Sequence, residues 1–109
     1  MTHQEIYNAL AASGLPVTYL QWNTGAVPNL PYICYYYPNS NNFGADNAVY
    51  ANVNRLYVEL YTAEKDFATE AQVEAVLGSI TGYWNKSETF LDSEEMYQTL
   101  YDSEVIING

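Results

Sequence analysis

Residues 52–66 read Asn52-Val53-Asn54-Arg55-Leu56-Tyr57-Val58-Glu59-Leu60-Tyr61-Thr62-Ala63-Glu64-Lys65-Asp66. Leu56, Val58 and Leu60 occupy even positions, while Arg55, Tyr57, Glu59 and Tyr61 occupy odd ones. Side chains alternate across a strand, so this spacing predicts a long strand with one face on a core and one on something wetter. The run from Thr62 to Asp66 breaks the alternation, and an apolar repeat of helical period begins just beyond it. A long strand feeding a helix is the largest unit in the chain.

Downstream, Thr69 reads as a helix N-cap, with Gln72 completing a capping box and Phe67 or Ala68 stapling against Val73. Val73, Val76, Leu77 and Ile80 form the apolar stripe, and Gly82 ends the helix. Glu70 and Glu74 lie towards the N-terminal end, where the helix dipole favours acids. Tyr83-Trp84-Asn85-Lys86 suits a short strand or edge segment. In the tail, Ser93-Glu94-Glu95-Met96 is compatible with a helix start. The alternation of Tyr97, Thr99, Tyr101, Ser103, Val105 and Ile107 with Gln98, Leu100, Asp102 and Glu104 favours a final strand.

Upstream, Thr2-His3-Gln4-Glu5 is a capping-box sequence, and Ile6, Ala9, Leu10 and Ser13 recur at helical spacing before Gly14. Strands are expected at Val17–Trp22 and, after Pro31, at Tyr32–Tyr37. Asn39 to Asn47 has loop composition and is longer than a hairpin connection requires. Phe43 within it suits an exposed anchor, or else folds back on the sheet. The order helix, strands, helix, strand predicts an α+β domain over residues 1–109, with two helices on one face of a mainly antiparallel sheet.

Composition limits the function classes. The chain has 109 residues and a net charge of −10, from thirteen acids against Arg55, Lys65 and Lys86. Three cations do not build the basic patch that binds nucleic-acid phosphates or anionic membranes. Twelve tyrosines suit either exposed sheet faces or contacts between subunits. A single cysteine, Cys34, forms no internal disulfide and reads as a buried, inert thiol in an apolar run. The polar start after Met1 carries no signal-peptide pattern, and no apolar run reaches bilayer-spanning length, which together suggest a reducing cytoplasm and no membrane partner.

No motif points to catalysis, a cofactor or a metal. His3, the lone histidine, sits in the first turn of the first helix, with little around it to orient a nucleophile system. The glycines are scattered and build no phosphate loop. Glu94 and Glu95, read on a strand, point to opposite sides and share no proton. Asp46-Asn47 lacks the further ligands of a calcium loop. The expectation is a protein that is not an enzyme.

Several short patterns resemble a known family: Gly14-Leu15-Pro16-Val17, Pro31-Tyr32-Ile33, Ala45-Asp46-Asn47 with Val49-Tyr50, Val58-Glu59-Leu60-Tyr61-Thr62 with Lys65-Asp66, and Met96-Tyr97-Gln98 with Tyr101. They look like small neck and tail-completion proteins of tailed bacteriophages and prophages, chiefly of Gram-positive hosts. The resemblance implies a virion structural protein, most closely a tail terminator. Such a protein forms a ring, commonly a hexamer, that caps the tail tube protein and docks to a head-completion protein while DNA passes through unbound. It places Arg55, Tyr57, Glu59, Tyr61 and Phe43 as candidates for subunit or partner contacts. An acidic lumen would repel DNA, although solubility explains the same charge. Alternatives are another neck component (stopper, adaptor or minor capsid protein), an acidic DNA-mimic inhibitor, and a Tyr/Trp-lined carbohydrate or peptide binder.

Overall fold

A computed structural model describes residues 1–40, 42–45 and 48–108, and for 43–45 and 48–51 it describes the backbone. The elements in chain order are α1 (His3–Ala11), β1 (Val17–Tyr19), β2 (Tyr32–Tyr36), β3 (Phe43–Ala45), β4 (Ala48–Ala51), β5 (Val53–Thr62), α2 (Phe67–Gly78), β6 (Trp84–Leu91) and β7 (Met96–Ile106). Five strands form one sheet in the order β1-β2-β5-β7-β6, and β3 pairs with β4 in a separate two-stranded sheet. Every neighbouring pair is antiparallel except β1 with β2. This is the α+β fold that the alternation and capping signals predict.

β5 lies between β2 and β7 because it has a buried face to contribute from Leu56 to Thr62. Leu56, Val58 and Leu60 are fully buried, and Thr62 extends the same row. β7 adds Thr99, Tyr101, Ser103 and Val105, and β2 adds Ile33 and Tyr35. Ile6 and Leu10 of α1 and Val73 and Leu77 of α2 close over this face in one cluster. Each helix buries a narrow stripe of about one apolar side chain per turn, and the apolar face of the sheet is the surface that stripe has to cover, so both helices take the same side. The buried Ser103 hydroxyl donates to the Leu56 carbonyl at 3.2 Å and is thereby satisfied.

The first helix begins as the capping box dictates: the Glu5 amide donates to Thr2 Oγ1 at 3.1 Å, and the Thr2 amide to Glu5 Oε1 at 2.9 Å. The second begins three residues earlier than its Thr-x-x-Gln pattern suggests. Asp66 is the N-cap, accepting the Thr69 amide at 3.0 Å and the Thr69 hydroxyl at 2.6 Å. A carboxylate with two donors to accept outcompetes a threonine hydroxyl for the cap, and Thr69 becomes its partner. Phe67 is accordingly exposed rather than stapled to Val73, and the Lys65 ammonium lies 4.5 Å from its ring centroid. The helix ends at Gly78, short of Gly82, where Ser79 donates to the Val76 carbonyl at 2.6 Å.

Further segments differ from the sequence expectation, beginning with β1, which stops at Tyr19 instead of running to Trp22 because Leu20 turns to φ +66°. Asn39 to Asn47 is not loop throughout, because β3 and β4 form a hairpin beside Val49 and Tyr50, residues that favour extended backbone. Asn41, Asp46 and Asn47 lie outside the described residues, as does the side chain of Phe43. β6 runs eight residues as an edge strand, longer than Tyr83–Lys86 alone. Glu94 and Glu95 sit in the turn between β6 and β7 rather than on a strand, with Glu95 at φ +51°. Among the described residues no helix is long and apolar enough to cross a membrane.

Candidate functional site: the helix-free sheet face

Because α1 and α2 cover one side of the sheet, the odd positions of β5 face the other. Strand register decides their neighbours. Arg55 lies opposite Glu104, Tyr57 between Tyr36 and Asp102, Glu59 between Cys34 and Leu100, and Tyr61 between Tyr32 and Gln98. The alternation thus brings Arg55, Tyr57, Glu59 and Tyr61 together on one surface, as the sequence predicts. All four are partly exposed.

The charged end of this row is internally paired. Arg55 Nη1 meets Asp102 Oδ1 at 2.7 Å, and Nη2 lies 3.9 Å from Glu104 Oε1. The Asp102 hydrogen bond and charge push the guanidinium pKa further up. On sequence alone Arg55 is a candidate for subunit or partner contacts. The structure commits it to its own β7, which no pattern local to residue 55 reveals.

The other end is a phenol–carboxylate network. Tyr61 donates its hydroxyl to Glu59 Oε1 at 3.1 Å, while Gln98 Nε2 donates to Tyr61 Oη at 2.8 Å and to Glu59 Oε2 at 3.2 Å. Partial burial raises the Glu59 carboxyl above its ordinary range, opposed by the Tyr61 hydrogen bond. Burial also raises the Tyr61 phenol. Rings pack across the strands at 5.4 Å between Tyr36 and Tyr57 and 5.3 Å between Tyr32 and Tyr61. Cys34 is buried in this row, and its thiol is pushed up to about 11 chiefly by that burial. These contacts restrict one another's rotamers, which reduces the ordering a partner would have to impose.

At the end of the face where β5 stops, a pocket of about 280 Å³ opens beside Tyr32, Cys34 and Tyr61. Leu91, Met96 and Glu94 form one wall, and the loop residues Leu20, Trp22 and Val27 form the other. The sequence places Leu20 and Trp22 on a strand running to Trp22 and marks only the residues after it as a connection, whereas β1 stops at Tyr19 and both side chains belong to the loop.

The lysines are engaged on the opposite side of the sheet. Lys65 and Lys86 clamp Glu70, whose side chain is 2% exposed, at 2.7 and 2.6 Å. Lys65 also pairs with Glu88, and Lys86 pairs with Glu74 at 2.8 Å. Tyr101 donates its hydroxyl to Glu74 at 2.8 Å from within the core. Burial pushes the Glu70 carboxyl up, but hydrogen bonds from the two lysines outweigh it and hold it below the ordinary value. Arg55, Lys65 and Lys86 are therefore all tied to acids of their own chain. Among the described residues, Glu64, Asp92, Glu94 and Glu95 make no ion pair.

His3 stacks edge-on against Tyr37, and its Nδ1 lies 3.2 Å from the Tyr37 hydroxyl. Tyr37 packs on the helix-covered core, whereas Cys34 faces the other side of the sheet, so His3 and Cys34 form no dyad. Among the described residues, no group of three or more His, Cys, Asp or Glu is placed to hold a metal ion.

No family model matches the chain, and no curated protein matches it. Among solved structures it is similar to a chain from the virion of a native gene transfer agent (GTA) particle. The TM-score is 0.69 at 16% sequence identity, over 99% of this chain and 96% of that one. At that identity the likeness is one of fold, and it extends over nearly the full length of both chains.

Proposed function

We propose that this chain is a structural protein of a phage-like virion, at the connection between head and tail, and that its specific role is tail termination. In this reading copies of the chain form a ring, commonly a hexamer, that caps the tail tube and docks to a head-completion protein. DNA passes through the ring without being bound. The observation that carries the reading is the end-to-end fold likeness to a virion chain. The sequence patterns that resemble phage neck proteins point the same way independently.

The helix-free face supports an assembly role. Arg55, Tyr57, Glu59 and Tyr61 present amphipathic rings and satisfied charges in a fixed arrangement, a surface that tolerates water alone and loses little order when covered. The charge distribution suits a DNA conduit, since the cations are engaged by acids of the chain itself and offer phosphate no partner. The DNA-mimic alternative needs acids spaced along one open face. Here Glu70 is buried, and Glu74 and Glu88 are paired to lysines beside α2.

The test is to delete the gene from the phage or prophage that encodes it and image the particles by electron microscopy. The tail-terminator reading predicts tubes of irregular length that do not join filled heads, restored by supplying the protein. Normal tails joined to heads in the absence of the protein would overturn it.

A further inference from the structure

We infer that the pocket at the end of the helix-free face binds a basic segment of a different protein, one that carries a bulky apolar anchor. Three observations at this place converge. Leu20 and Val27, on the pocket rim, are 51% and 56% exposed, although both are large and apolar. Leu20 is held at φ +66°, a left-handed conformation disfavoured for a residue with a branched side chain. Its backbone is fixed there by a 2.8 Å bond from its amide to the Tyr35 carbonyl and another from Gln21 to Tyr19. The fold thus holds an apolar side chain out at the mouth of the pocket in a conformation that local preference opposes.

The second observation is Trp22, which lines the pocket and packs edge-on against Tyr32 at 5.8 Å. Its Nε1–H is shut off from solvent and has no acceptor among the described residues. A buried donor without a partner is costly, so this placement of the indole gives way more readily than a satisfied one when a chain binds beside it. A volume of about 280 Å³ is small for a free small molecule and suits one protein side chain inserted as an anchor.

The third observation is charge, and it selects the occupant. Glu94 lies in the pocket wall, and Asp92 and Glu95 share its exposed turn. Register brings Thr62 beside Tyr97 and Leu91 beside Met96, so the connection carrying exposed Glu64 emerges at the same end of the sheet. None of these four acids meets a cation among the described residues. A second copy of this chain is a poor occupant, because Arg55, Lys65 and Lys86 are each already engaged by their own acids. The complement of an apolar slot with an acidic rim is an apolar side chain flanked by Lys or Arg. This inference rests on the pocket itself and stands apart from the ring reading.

The probe is an end-capped synthetic peptide, Lys-Gly-Lys-Leu-Phe-Lys-Gly-Lys, added to the whole chain labelled with nitrogen-15. One control replaces each Lys by Glu, and another replaces Leu-Phe by Gly-Gly. Trp22→Phe assigns the Trp22 indole N–H signal against that of Trp84. The basic apolar peptide is expected to move the Trp22 indole signal, and both controls to bind at least about tenfold more weakly. Raising the ionic strength from about 0.05 to about 0.5 M should weaken the complex several-fold. Val27→Glu, a change on an exposed loop side chain, should enhance charge attraction yet block the slot, abolishing the indole shift without lowering the melting temperature. Equal binding of the Lys and Glu peptides would overturn the inference. So would binding that leaves the Trp22 signal in place, or self-association of the chain that Val27→Glu abolishes. Since none of these readouts involves tails or heads, failure here is distinguishable from failure of the proposed assembly role.

Discussion

Glu70→Gln is the substitution that tests most sharply how this small fold handles its charge. The side chain is 2% exposed and touches both lysines, at 2.7 and 2.6 Å. Glutamine keeps the shape and most of the packing but removes the negative charge. Breaking a buried ion pair on one side costs roughly 3–5 kcal/mol when the partner is stranded. Here neither lysine is stranded, because Lys65 keeps Glu88 and Lys86 keeps Glu74. Both lysine side chains also retain about a third of their exposure, at 30% and 32%. The expected loss is therefore lower, about 2 kcal/mol, in the range of hydrogen bonds to charged groups. For a domain of this size that corresponds to a fall of roughly 10 °C in Tm. Glu88→Gln removes a pair whose acid is 40% exposed, and should cost no more than about 1 kcal/mol.

The assay is urea unfolding followed by far-ultraviolet circular dichroism, repeated at descending pH. The carboxyl of Glu70 is depressed in the folded state, so its contribution is fully present above the ordinary carboxylate pKa. As pH falls, the unfolded chain takes up the proton first. The gap between wild type and Glu70→Gln should begin to shrink near the ordinary glutamate value of 4.5 and close as pH passes through the lower folded value. Equal stability of the two proteins at pH 7 would refute the reasoning. A gap that persists unchanged in acid would show that packing rather than charge was lost.

Three further outcomes are expected. Leu60→Ala empties a fully buried site in the core cluster and should destabilise by about 2–5 kcal/mol, read in the same urea curves. An unchanged midpoint would mean that the even face of β5 is not the core. Cys34, with its thiol held up near 11, should react slowly with a thiol reagent at pH 8 and quickly in denaturant; fast labelling of the native protein would contradict its burial. On the helix-free face, Tyr57→Ser should leave the fold intact and reduce the yield of joined particles, whereas a normal titre would remove Tyr57 from any essential interface. Arg55→Glu is the poorer test, since it sets a third carboxylate against Asp102 and Glu104 and disturbs the sheet itself.

What was legible in the sequence follows the reach of each signal. The faces of β5 and β7 could be read from alternation, because period 2 is a property of the strand alone. The start of α1 was equally local, since Thr2 and Glu5 satisfy one another within one turn. The start of α2 was misplaced because two cap patterns overlap there, and the choice between Asp66 and Thr69 depends on which oxygen receives the Thr69 donors. The β3–β4 hairpin was hidden by the asparagines that precede it.

The candidate face divides in the same way. That Arg55, Tyr57, Glu59 and Tyr61 share a surface was visible, whereas their partners were not. Asp102 lies 47 residues from Arg55 and Gln98 lies 37 from Tyr61, so only strand register supplies them. The burial of Glu70 needed more still. A glutamate in the first turn of a helix reads as a dipole contact, and only the arrival of Lys86 from the edge strand turns it into a buried ion pair. The pocket at Trp22 is assembled from the loop after β1, β2, β5 and the two ends of the β6–β7 turn, and no single segment announces it.

The central proposal, that this chain is a structural part of a virion at the junction of head and tail, is tested most directly by cryo-electron microscopy of intact virion-like particles purified from the host that carries its gene. The account predicts a ring of density at the head-proximal end of the tail tube into which the five-stranded sheet and its two helices fit, copy after copy. Particles whose neck and tail are fully accounted for by other chains, with this one nowhere in the map, would contradict it.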